Sequence, residues 1–322
     1  MATTTAAPAT IVATARAARA EEIEPEALEV AVAAAGRRPN SVSEMLEVHG
    51  EELSDAIKES VETFKAPPPD GGGVPLPPAP AGFICAVRAT RPSDGLDPFY
   101  TKVCMASGIP VVSSAAVNDS ALVAAAGIVV HMLNPRPDLR QKLIDNRLRV
   151  GVIGIRENAL MMPEYRDLKS VFPDDDWTSR AYSATMKRPL VAVPEENLLC
   201  LSNDSYPGQS VLTHELGHSV VDLAVRPLDG SFWGRVENAY AKAMQAGRFR
   251  NSYAATNAAE YWAEGVQDFF DASSVYVGAN GAGNGYDSPI GNRGDLASYD
   301  PVLYGLIRDV FTENPWRPRC PT

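Results

Sequence analysis

At 322 residues, with 45% hydrophobic and 21% charged side chains, the chain has the composition of a globular protein with room for one substantial core and an appendage. Its formal charge of −11 at pH 7 excludes the basic surface that nucleic acids and anionic membranes attract, so neither is expected as a partner.

The first twenty residues, "MATTTAAPATIVATARAARA", hold two arginines and no acid but lack the compact apolar run of a signal peptide, and read as a low-complexity tail. Apolar residues then recur with a helical period at Val42, Met45, Leu46, Leu53, Ile57, Val61 and Phe64, which predicts an amphipathic helix over 41–65. "APPPDGGGVPLPPAP", Ala66 to Pro80, is a Pro/Gly linker unable to pack a core. The chain therefore divides into an N-terminal tail, 1–80, and a main domain, 81–322.

Within that domain, β-type runs are predicted at Phe83–Val87, Ile109–Ser113 and Val150–Ile155, with helices at Asp119–Leu133 and Pro137–Arg147. Two more β-type runs fall around Val191 and Leu199. Helices follow at Pro207–Ala224, Phe232–Ala246, Asn257–Ala272 and Leu296–Thr312. Strands first and helices later indicate an α+β fold, a small mixed sheet backed by helices. The longest apolar run, Ala121–Val130, is too short to span a bilayer. Cys85, Cys104, Cys200 and Cys320 show no C-x-x-C spacing, which leaves two disulfides or four inert thiols open, and with them an extracellular or a cytoplasmic location. Oligomeric state is not legible.

The chemistry centres on "VLTHELGHSVV", Val211–Val221. On a helix, His214 and His218 share one face and can both turn a ring nitrogen to one ion, while Glu215 stands one residue round, within reach of a water held there. Two packed or solvated histidines are the plainer alternative. The chain has four histidines in all, so their meeting in this pattern favours the metal, and His49 and His131 are expected to be structural. Gly217, unfavourable inside a helix by about 1 kcal/mol, points to a close approach.

A catalytic zinc site needs a third protein ligand. No later histidine follows the motif, so a carboxylate must serve, and "NSYAATNAAEYWAEGVQDFFDAS" offers Glu260, Glu264 and Asp271 on one helical stripe with Gln267. Such a stripe can equally be a solvated face. Asn257 with Glu260 three residues on can also be a capping box, in which the glutamate merely reaches back to the cap amide.

"HELGHSVVD" followed by "YAATNAAEYWAEG" resembles the catalytic domain of anthrax lethal factor and its relatives among the gluzincins, zinc peptidases of the zincin fold. The likeness covers His214 to Phe270. Residues 81–200 and the ending "NRGDLASYDPVLYGLIRDVFTENPWRP" are also similar to a group of bacterial and fungal proteins that carry the same motif pair. The resemblance implies a zincin-like domain with Zn²⁺ as cofactor, Glu260 as third ligand, Tyr253 facing the metal, and Glu264 as a carboxylate behind a ligand histidine. Asp222 matches an acid at the end of the first motif, without a role. The 42-residue interval from His218 to Glu260 is a few residues shorter than in lethal factor, which a loop can absorb.

The expected activity is hydrolysis of a peptide bond in a protein or peptide substrate. Glu215 is the expected general base and then acid, and Tyr253 the expected donor to the oxyanion. An exposed strand over Asn197–Leu201 is a candidate edge for the substrate peptide. A zinc site without turnover, in a binding or scaffold protein, or a zinc hydrolase of a non-peptide bond stays open beside this. "GANGAGNGYDSPIGNRG", Gly278–Gly294, lacks the G-K-[ST] ending of a phosphate loop and reads as a polar loop, and no G-x-S-x-G suggests a serine hydrolase. A thiol from Cys85 or Cys104 reaching the metal is a further, remote option.

Overall fold

Ser107 and Gly108 both take positive φ, 50° and 99°, the conformation of a two-residue hairpin turn whose twist suits the strands it joins. Around that turn, β2 (Lys102–Ala106) pairs antiparallel with β3 (Ile109–Ser113), Ala106 opposite Ile109. The structure is a computed structural model that describes residues 85–170, 180–273 and 288–318. The expected tail helix and linker, and most of the Gly278–Gly294 loop, lie outside them. Apart from Ser170, the described residues belong to one compact unit.

The sheet has five strands in the order β1-β2-β3-β4-β5. Short β1 (Arg88–Ala89) is antiparallel to β2, starting later than the strand expected at Phe83–Val87, and a disulfide from Cys85 to Cys104 ties the chain ahead of it to β2. Cys200 is also disulfide-bonded, and among the described residues no cysteine is free. A thiol ligand from Cys85 or Cys104 is thereby excluded. From β3 the chain crosses through α1 (Asp119–Leu133) and α2 (Pro137–Asp145) to β4 (Arg149–Ile153), parallel to β3. The Asn118 side chain caps α1 at the amide of Ser120. β5 (Leu190–Pro194) lies parallel to β4, and every residue of it is buried, as in strands covered on both faces. Its outer edge takes one bridge, in which Tyr182 and Ala192 exchange two hydrogen bonds of 2.9 Å.

Beyond β5 the expected strand near Leu199 is absent. Glu195–Leu198 forms the single turn α3, and its polar side chains are buried and occupied. Glu195 accepts from the amide of Asn118 at 2.6 Å, and Glu196 takes both arms of Arg180 at 2.8 and 2.9 Å. Asn197 accepts from the amide of Val211 at 2.9 Å and donates to the Gln209 carbonyl at 2.8 Å. Committed to holding neighbouring segments, Asn197–Leu201 offers no free strand edge, so the docking strand expected there is corrected.

The second half is helical: α4 (Val211–Val220), α5 (Phe232–Gln245), α6 (Ala258–Phe269), α7 (Arg293–Tyr299) and α8 (Pro301–Phe311). α4 widens into a π turn over Val221–Val225. The single helix expected over Leu296–Thr312 is broken at Asp300, because Pro301 has no N–H to continue the ladder and the Asp300 carboxylate caps the amide of Leu303 at 3.1 Å. The architecture is thus mixed α/β, a small five-stranded sheet with helices, compatible with the expected α+β class. Trp262, Tyr261, Phe269 and Phe270 of the α6 segment are fully buried, with Phe232 and Trp262 in edge contact at 5.4 Å. Among the described residues no helix is long and apolar enough to cross a membrane.

Candidate metal centre

Ser210 begins α4 with its hydroxyl facing the amide of Thr213, and its own N–H donates to the Ala272 carbonyl at 2.8 Å, tying the start of α4 to the end of α6. One turn on, His214 and His218 point the same way, with ring centroids 4.9 Å apart. α6 crosses behind them closely because Gly217 has no side chain. A Cβ there would stand 3.2 Å from the Cβ and Cγ1 of Val266. The close approach expected at Gly217 is therefore the crossing of these two helices.

That crossing brings Glu260 to the histidines. Its Oε2 lies 3.0 Å from His214 Nε2 and 3.5 Å from His218 Nε2, and the two Nε2 atoms are 3.2 Å apart. Tetrahedral zinc with bonds of about 2.0–2.1 Å sets its ligand atoms about 3.3–3.4 Å from one another, a spacing that the three observed separations bracket. Among the described residues, this is the one group of His, Cys, Asp and Glu whose donors converge in this way.

The electrostatics agree. Burial pulls His214 down, but Glu260, Glu264 and Glu215 outweigh it and hold the imidazole well above its usual pKa. Burial pushes Glu260 up, but His218 and His214 outweigh it and hold the carboxyl well below the usual carboxylate range. A cluster of three carboxylates and two imidazoles favours positive charge, supplied by a proton or by a metal ion.

The acidic stripe on α6 is not a solvated face. Glu260 and Gln267 are buried against α4, and only Asp271, which follows the helix with φ of 50°, turns outward to Arg317 and to the amide of Arg293. Asn257 does cap α6, accepting from the amides of Ala259 and Glu260 at 2.9 Å, while the Glu260 carboxylate goes to the histidines. Glu264 Oε1 stands 3.3 Å from His214 Nδ1, where the resemblance implied a carboxylate behind a ligand histidine. Gln267 comes closer, its Oε1 2.9 Å from the same nitrogen, a contact that sequence reasoning missed although Gln267 shares the Glu260 stripe.

Tyr253 is buried in the 3-10 turn Tyr253–Ala255, with its ring centroid 6.2 Å from that of His214. Its loop is held by a hydrogen bond from the Tyr240 hydroxyl to the Ala255 carbonyl at 2.8 Å and by one from the Phe249 amide to the Tyr299 hydroxyl at 2.9 Å. Phe249 and Asn251 both adopt positive φ, 54° and 62°, a strained stretch directly before this tyrosine. Glu215 is buried on α4, near enough to His214 to raise its pKa. Asp222 pairs with Arg226 at 3.0 Å, one turn along the same face. His131 stacks on Trp316 at 5.2 Å, a packing role, and His49 lies outside the described residues. Compared with protein-family models, with curated proteins and with solved structures, the chain matches none.

Proposed function

We propose that the chain is a zinc-dependent endopeptidase of zincin fold and gluzincin type, resembling the lethal-factor catalytic domain. The supporting observation is the spacing of the His214, His218 and Glu260 donors, 3.0 to 3.5 Å apart, with Glu215 on the same helix between the two histidines. A divalent cation held by those three side chains supplies Lewis-acid activation of a water and of the scissile carbonyl. Glu215 takes the attacking water's proton and returns it to the leaving amine. Tyr253 donates its hydroxyl proton in a hydrogen bond to the oxyanion, and Glu264 supports the His214 ring from behind.

The test is cleavage of a quenched-peptide library by the full chain, by the chelated chain and by Glu215→Gln. Cleavage lost in both and restored to the wild type by zinc is the expected result. Cleavage that survives chelation and the Gln substitution overturns the proposal. Stoichiometric zinc binding with no cleavage of any peptide selects a scaffold or a hydrolase of another bond.

A further inference from the structure

We propose that Gln267 is a positioning residue of the metal centre, one that fixes which ring nitrogen of His214 carries the proton and so aims the Nε2 lone pair at the cation. The inference rests on the metal reading above and adds to it a group outside the ligand set.

A neutral imidazole has one N–H, and a ligand nitrogen must be the other one. His214 Nδ1 lies 2.9 Å from Gln267 Oε1. Which end of the amide faces the ring is decided by its far side. Gln267 Nε2 stands 3.3 Å from the Ser210 carbonyl, which can only accept, so the amide nitrogen is directed there and the oxygen to the ring. Facing an acceptor, Nδ1 keeps its proton when a cation takes the place of the one on Nε2, whose lone pair then points toward His218 and Glu260.

The Ser210 carbonyl also accepts from the amides of Thr213 and His214, so the amide grips the cap of the very helix whose ring it orients. Gln267 is only 2% exposed, and its side chain has no solvent route to other partners. Glu264, at 3.3 Å from Nδ1, favours the same tautomer from further away. An amide suits the nearer position because Glu215, Glu260 and Glu264 already crowd the site, and Asp268 beside it is buried as well. It directs the ring without burying another negative charge.

The test uses the full chain and reads zinc affinity by competition with a chelator, together with the absorption bands of the cobalt(II)-loaded protein. Gln267→Met keeps the volume and removes the acceptor, and is expected to weaken zinc binding about ten- to a hundredfold and to shift the cobalt bands. Gln267→Glu restores the acceptor but buries a further charge, so its readout is the cobalt bands, which are expected to return toward those of the wild type. Should the methionine variant fail to fold, Gln267→Asn, a methylene too short to span ring and cap, takes its place with the same expectation. Affinity and cobalt bands unchanged in a folded variant, with only the melting temperature of the chelated protein lowered, would show Gln267 to be packing and overturn the proposal. Wild-type protein that binds no zinc would defeat the metal reading itself, whereas zinc binding without peptidase activity leaves the role of Gln267 standing and removes only the activity.

Discussion

The indole N–H of Trp262 donates to the carbonyl of Gly217 at 3.0 Å, joining α6 to the middle of the helix that carries the histidines. Trp262 is fully buried, so Trp262→Phe loses this bond and part of a packed ring together. A loss of about 1–3 kcal/mol in unfolding free energy is expected from urea denaturation. Weaker zinc binding should accompany it, because Glu260 lies two residues away on the same helix.

Tyr253→Phe removes a single hydroxyl and leaves the ring beside His214 in place. With the hydroxyl acting on the oxyanion, kcat should fall about 10²–10³-fold while KM and zinc affinity change little. A fall in zinc affinity of the same size would instead assign Tyr253 to holding the site together.

Asp268 supplies one pH dependence of stability. Burial, and then the neighbouring Glu264, push its carboxyl well above the usual value, so folding takes up a proton there. The native state binds more protons than the unfolded state, and stability therefore falls as pH rises above the unfolded pKa of about 3.9, by at most about 1.4 kcal/mol per pH unit. Asp268→Asn abolishes that slope. The variant should match the wild type near pH 4 and gain on it as pH rises toward neutrality in denaturant titrations. An advantage equal at both pH values would place the effect elsewhere.

Removing the metal should both stop cleavage and lower the melting temperature. With zinc a thousandfold above its Kd the bound state gains about 4 kcal/mol, equivalent to roughly 8–16 °C for a domain of this size. In the chelated protein the raised His214 pKa means that its pairing with Glu260 is fully present below about pH 6.5 and lost as pH rises through the folded value. The depressed Glu260 pKa means the opposite for that group, whose contribution is present above its unfolded pKa and lost in acid. Scanning calorimetry of chelated protein should therefore give its best stability in mildly acidic solution, and zinc should move the optimum upward.

Local signals in the sequence were strong wherever backbone and pattern agreed. Asp119–Leu133 and Ile109–Ser113 match the expected bounds because a capping asparagine and a β-branched run declare them without tertiary help. β2 went unread, since "KVCMA" mixes a charge with small and flexible residues, and its only signature is the Ser107–Gly108 turn. Leu199 misled in the other direction: an apolar pair after "PEEN" looks like a strand, while the buried Glu195, Glu196 and Asn197 stabilise a helical turn through partners 16 or more residues away or across the loop. The meeting of His214 and His218 on one helix face was legible from spacing alone. Glu260 was not, because an N-cap and a following glutamate look alike whether the carboxylate returns to the cap or crosses to another helix. Gln267 was hidden for the same reason, its partner being 53 residues away.

The donors of this centre belong to two helices that touch across a glycine, and neither helix owns the centre. A peptide reproducing Val211–Val220 would present two imidazoles and nothing to close the coordination sphere. On the metal reading, occupancy would report on tertiary order, since the site exists only while the helix crossing holds, and the ion would serve as a reversible cross-link between segments the backbone joins only through a long excursion.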